Sequence, residues 1–139
     1  MSEDRGLPRL TELAKTIGFE ITEFSEGSCV VECTIREDHL NMGGVAHGGI
    51  HATLLDSAMG GTLVSTLAKK EWCATAQIDI SYLNAVGAGT HLIATGEVIR
   101  RGRSLAHMEG QLTADDGTLV ATAKGIWAIW VVRPSPKRE

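Results

Sequence analysis

The chain has 139 residues, 43% of them apolar and 22% charged, with a net charge of -4 at neutral pH. That length permits a hydrophobic core, and the composition is that of a globular domain rather than a disordered or low-complexity chain. The acidic balance excludes a general nucleic-acid binder and a polybasic membrane anchor.

One domain is expected over residues 1–139, with a core from about 18 to 132 and flexible tails at 1–6 and 133–139. The cysteines are Cys29, Cys33 and Cys73. Cys29 and Cys33 stand four apart in a predicted strand, beyond the reach of a disulfide. With no secretory leader in the opening residues, a reducing cytoplasm is the expected location.

Taken in order, Pro8, Leu10, Leu13 and Ile17 have helical spacing, and Gly18 is a stop, so a short helix is predicted. Phe19–Phe24 alternates apolar and polar residues, Glu26-Gly27 turns the chain, and Ser28–Ile35 returns as the second strand of a hairpin. A charged connection, Arg36–Leu40, leads into Asn41–Ala68, NMGGVAHGGIHATLLDSAMGGTLVSTLA. From Gly48 to Ala68 this stretch carries one formal charge, Asp56. As a helix, its small and apolar residues go nearly all the way round, which predicts burial on every side.

The stretch has roughly the length of a bilayer span, but Asp56, His51, several hydroxyls and four glycines argue against one. Gly60 and Gly61 each cost a helix about 1 kcal/mol relative to alanine, so another backbone is expected to pack closely there. Lys69 and Lys70 fall where a helix C-terminus favours cations.

Four more strands are predicted at Thr75–Leu83, His91–Arg101, Ser104–Ala114 and Thr118–Val132. Gly102 and Asp115-Asp116-Gly117 mark turns, and Pro134 and Pro136 end the series. In the first of these strands Ile78, Ile80 and Tyr82 share one face, opposite Gln77, Asp79 and Ser81. The order α-β-β-α-β-β-β-β places the fold in the α+β class, with one long helix against antiparallel strands.

At 100° per residue, Asp56 shares its helical face with Gly49, Ala52, Met59, Gly60 and Leu63. A lone carboxylate in such apolar surroundings suits a general base or a nucleophile. The competing reading is a buried Asp satisfied by backbone or hydroxyl donors. Gly48 and Gly49 follow His47 where the helix begins, and free backbone N–H groups there make an oxyanion site that a substrate can approach closely.

His47 and His51 are spaced as two zinc ligands on a helix, yet Gly48 stands where the metalloprotease pattern needs Glu. Asp56 would lie about 140° round the helix from His51. No metal site is expected; His47 is read as orienting the loop and His51 as packing or facing solvent.

Asn41, then His47-Gly48-Gly49, then Asp56, and Thr75 seven residues before Tyr82, resemble the hotdog-fold acyl-CoA thioesterases of the PaaI-like type. The likeness runs from about Gly18 to Trp130, in element order as well as motif. It implies a long central helix wrapped by a curved antiparallel sheet, and a homodimer or homotetramer that hydrolyses acyl-CoA with no cofactor beyond its substrate.

In that family pattern Asn41 and the Gly48 amide would polarise the thioester carbonyl. Asp56 would activate water or attack directly, Thr75 would hold the water, and His47 would support the loop. The resemblance further implies active sites shared at the dimer interface, Asp56 and Thr75 of one subunit facing Asn41 and Gly48 of the other. Threonine at 75 stands where serine is common and adds a methyl beside the water.

Coenzyme A needs a local basic patch on this acidic chain. Arg100, Arg101 and Arg103 around Gly102 are candidates for its phosphates, and Gly49 for close approach; the plain alternative is a solvated hairpin end. Lys137 and Arg138 are weaker candidates. Trp72, Trp127 and Trp130 suit an acyl or adenine pocket, or simply core. The rival functions are an enoyl-thioester hydratase or dehydratase on the same fold, and a non-catalytic acyl-CoA-binding protein.

Overall fold

The computed structural model describes residues 6–131. The expected tails, Pro134, Pro136, Lys137 and Arg138 lie outside or largely outside that range. Helix α1 is Glu12–Ile17, shorter at its start than the apolar spacing suggests. Thr11 sets that start, its hydroxyl accepting from Ala14 N–H as an N-cap. Gly18 ends the helix with φ 88°, the left-handed conformation glycine adopts without strain.

Strands β1 (Phe19–Ser25) and β2 (Ser28–Thr34) form the predicted hairpin. A single 3-10 turn, Glu37–His39, occupies the charged connection. Its His39 is buried; Nδ1 accepts from Arg36 N–H and Nε2 meets the Ile17 carbonyl at 2.7 Å. His39 also accepts from His47 N–H through its own carbonyl, so the end of α1 and the start of the long helix are tied through one imidazole residue.

Helix α2 spans Gly48–Val64, four residues short of the predicted Ala68. Hydroxyls end it: Ser65 donates to the Thr62 carbonyl and Thr66 to the Leu63 carbonyl, capturing acceptors at its last turn. Lys69 and Lys70 therefore stand beyond its last turn, in a turn of their own before the next strand, and do not complement its dipole as expected.

The remaining strands are β3 (Glu71–Tyr82), β4 (His91–Arg101), β5 (Leu105–Ala114) and β6 (Leu119–Val131). All pairings are antiparallel, in the order β1-β2-β4-β5-β6-β3, so β1 and β3 are the edges. The sheet carries α2 on one face, the α+β hotdog arrangement that the resemblance implied.

The core lies between helix and sheet. Leu54, Leu55, Ala58, Met59 and Leu63 of α2 are fully buried against Val31, Leu92, Ala94, Met108 and Leu112. Among the glycines, the helix backbone is approached most closely by Gly96 of β4, where a Cβ would stand 2.8 Å from Met59 Cα. Gly60 and Gly61 instead face side chains, the Trp127 indole and the Cys29 thiol. The close packing thus exists, but the glycine that admits the helix backbone sits in the sheet.

Burial on every side of α2 is not observed. Ala52, Thr53, Asp56, Ser57 and Gly60 form a half-buried stripe facing away from the sheet centre. No helix among the described residues is long and apolar enough to cross a membrane. The three cysteines are buried, free thiols.

Candidate active site

Asp56 occupies the middle of the half-buried stripe of α2, and Thr75 of β3 donates to its Oδ1 over 2.6 Å. Strict alternation would put Thr75 on the outer face with Gln77 and Asp79. The pairing with β6 shows why it does not: Thr75 pairs with Trp127 and Gln77 with Ile126, leaving Ala76 as an extra residue, a β-bulge. The bulge reverses parity, so Cys73 and Thr75 turn toward the helix before it and Ile78 and Ile80 after it. Asp56 Oδ2 accepts no hydrogen bond among the described residues.

Cys73 shares this inner face and was not singled out by sequence reasoning. Burial pushes its thiol pKa up, and the nearby Asp56 carboxylate adds to the rise, so it stays protonated and inert.

The start of α2 forms a second group. The chain closes a tight loop over Asn41–Ala46, with Asn41 N–H donating to the Val45 carbonyl and Gly44 N–H to the Asn41 carbonyl. Asn41 Oδ1 accepts from both Gly43 and Val45 N–H, at 2.9 and 3.3 Å. That fixes the amide's orientation and leaves its Nδ2 donors without a partner among the described residues.

His47 is the N-cap of α2: its Nδ1 accepts from Gly49 N–H at 2.8 Å, so in the neutral ring the proton rests on Nε2. Gly49 N–H is thereby occupied. Gly48 N–H, in the first helical turn, has no acceptor among the described residues. Tyr82 lies over Gly48, its hydroxyl donating to the Gly48 carbonyl at 2.7 Å. His51 packs rather than facing solvent: it is 3% exposed, its ring lies 5.8 Å from that of Tyr82, and neither ring nitrogen has a partner among the described residues.

Eight residues of helix separate Gly48 from Asp56, about 12 Å along the axis. Within one chain the amide-rich helix start and the carboxylate–hydroxyl pair therefore do not converge on one small functional group. The structure brings Asp56 to Thr75 and Asn41 to the loop before His47, and keeps the two pairs apart.

The arginines divide. A bulge at Ile99 in β4 sends Arg100 to the outer face beside His107, while Arg101 pairs in register with buried Ala106. Arg101 forms a two-pronged ion pair with Glu71, which lowers the Glu71 pKa. Arg100 and Arg103 line a groove of about 260 Å³ with Gly102, Ser104, Leu105 and His107. A larger polar groove of about 840 Å³ runs across the outer face between Asp79, Thr95, Glu97, Glu109 and Lys124, and contains neither Asp56 nor Thr75. Trp127 is core at 2% exposure, whereas Trp72 and Trp130 pair across β3 and β6 and stay exposed.

Residues 43–121 match the family model of the thioesterase superfamily. Human acyl-coenzyme A thioesterase 13 is 28% identical over 99 residues, 70% of each chain. Among solved structures, the PaaI protein of the E. coli phenylacetic acid degradation operon superposes with a TM-score of 0.79 at 25% identity, over 85% of this chain and 83% of that one. A Streptococcus pneumoniae hypothetical thioesterase solved with coenzyme A superposes with a TM-score of 0.75 at 29% identity, over 84% and 88% of the two chains.

Proposed function

The chain belongs to the thioesterase superfamily and is a thioester hydrolase; on that premise we propose that its substrate is an acyl-CoA and that two copies of the chain share each active site. The observation that carries the proposal is the Thr75–Asp56 hydrogen bond on a half-buried helix face, about 12 Å along the helix axis from Gly48, whose N–H has no partner among the described residues.

In this reading Thr75 holds Oδ1 and leaves Oδ2 to accept from a water. Asp56, as general base, takes a proton from that water as its oxygen attacks the thioester carbonyl. The oxyanion that forms accepts from Gly48 N–H and Asn41 Nδ2 of the other copy. Collapse breaks the C–S bond, the carboxyl of Asp56 returns the proton to the leaving thiolate, and free acid and CoA depart. His47, capping Gly49, keeps the Gly48 peptide in place.

Edge strand β3 supports the sharing. It is twelve residues long, carries Thr75, and has an unpaired backbone edge that a second copy's β3 would extend. Arg100 and Arg103 are the phosphate contacts of choice, since Arg101 is engaged with Glu71.

Co-expression of Asp56→Asn and Asn41→Ala chains tests the arrangement. A mixed two-fold dimer holds one intact and one doubly damaged site, so the mixture should recover about a quarter of wild-type thiol release although each parent is nearly inactive. No recovery, in a preparation shown to contain mixed dimers, would mean that each chain completes its own site.

A further inference from the structure

Among the described residues Tyr82 makes no hydrogen bond to Asp56, Thr75 or Asn41, yet it fixes the residue on which the oxyanion site depends. Gly48 is flanked by two peptides. The His47–Gly48 peptide supplies the unpaired N–H, and its carbonyl accepts from Ile50 N–H at 2.9 Å. The Gly48–Gly49 peptide is gripped at both ends: its carbonyl accepts from the Tyr82 hydroxyl at 2.7 Å and its N–H donates to His47 Nδ1 at 2.8 Å. Glycine has more backbone freedom than any other residue, and here both peptides around its Cα are tied down.

The tyrosine ring adds a steric limit. A Cβ on Gly48 would stand 3.2 Å from the ring and its oxygen, so the ring rests directly on the glycine. His51, one helical turn beyond Gly48, is buried and lies 5.8 Å from the ring, centroid to centroid, so the ring rests on the first turn of α2. Tyr82 itself is 52% exposed, a position at which its hydroxyl would otherwise be satisfied by water.

We infer that Tyr82 is a positioning residue for the oxyanion site, its hydroxyl holding the Gly48 carbonyl so that the Gly48 N–H keeps a fixed direction toward the substrate oxygen. The inference rests on the acyl-CoA reading for its catalytic half and on the hydrogen bonds alone for its structural half. A fixed donor matters because a donor that must reorient during reaction contributes less to the transition state than one already aimed.

Tyr82→Phe keeps the ring and removes the bond. In that variant kcat for an acyl-CoA should fall roughly tenfold with KM unchanged, a smaller loss than deleting a donor outright. Amide hydrogen exchange read by NMR supplies the arm that needs no turnover. The Gly49 N–H should exchange about tenfold faster, while Leu54 and Leu55 amides in the middle of α2 keep their wild-type rates.

A kcat within twofold of wild type, or a Gly49 amide exchanging at the wild-type rate, would overturn the inference. So would faster exchange along all of α2, since that reports loss of stability and not of a clamp. A wild-type protein that releases thiol from no acyl-CoA would defeat the substrate reading and the catalytic half with it. The exchange arm would still judge whether Tyr82 holds the peptide.

Discussion

The Thr75 hydroxyl and the Asp56 carboxylate, 2.6 Å apart, join the edge strand of the sheet to the middle of the central helix. Replacing Asp56 by Asn keeps the shape and removes the base. Turnover should drop by roughly 10²–10⁴-fold, the usual worth of a positioned base, with CoA affinity by calorimetry unchanged. Thr75→Ala should cost about tenfold and Thr75→Ser much less, because the hydroxyl and not the methyl makes the bond. Single turnover in ¹⁸O-water should label the product acid directly, whereas label appearing in Asp56 would assign it as a nucleophile.

The division of the arginines predicts different phenotypes for neighbours in sequence. Arg100→Ala and Arg103→Ala should each raise KM for acyl-CoA about five- to tenfold and leave KM for a short pantetheine thioester unchanged. Arg101→Ala should leave both KM values alone and lower the thermal midpoint, since it releases Glu71 at the start of β3. Equal effects of Arg103→Ala on both substrates would remove the groove from the CoA site.

His51 makes stability depend on pH. Burial holds its pKa below the ordinary imidazole value, so the folded protein binds a proton at this site less readily than the unfolded chain does. Stability is full above the unfolded value, near 6.5, and falls as pH drops below it, levelling once the folded protein also protonates. His51→Phe should flatten the denaturation midpoint across this window. A slope as steep as wild type in that variant would assign the effect to another group.

Gly96→Ala should be the most costly of the helix–sheet glycine substitutions. Its Cβ would meet backbone, 2.8 Å from Met59 Cα and 2.9 Å from the Ala58 carbonyl, and neither atom can swing aside. We expect a loss of about 1–3 kcal/mol by urea titration with little change in m. Gly60→Ala, which meets only the Trp127 indole at 3.2 Å, should cost less.

Some elements keep the bounds that their sequence pattern suggests. Strand β4 runs His91–Arg101 as predicted, and Gly18 and Gly27, both at positive φ, punctuate as their sequence positions suggest. The start of β3 was hidden because Trp72, Cys73 and Ala74 break no pattern until β6 is alongside. The end of α2 was hidden because Ser65 and Thr66 are acceptable helix residues until their hydroxyls take the last carbonyls.

For the site, Asp56 was legible as a charge without company, and Gly48 as an unguarded helix start. Thr75 posed a question that the spacing contained: it stands three residues from Ile78, so the two cannot share a face of a regular strand, and a bulge was required. Tyr82 could not be read, because its bond to Gly48 crosses 34 residues of chain. The arginine cluster looked like one patch in sequence; only the bulge at Ile99 shows it to be two.

Ala76 is the one residue of β3 that the pairing with β6 leaves over. Deleting it would set Thr75 and Gln77 side by side against Trp127 and Ile126, so Thr75, Ile78 and Ile80 would all keep the helix side of a regular strand. Loops elsewhere in the chain can gain or lose residues singly. In this strand, Ala76 is the position at which a single residue can be lost with the half-buried isoleucines and the Thr75 hydroxyl kept on the helix side.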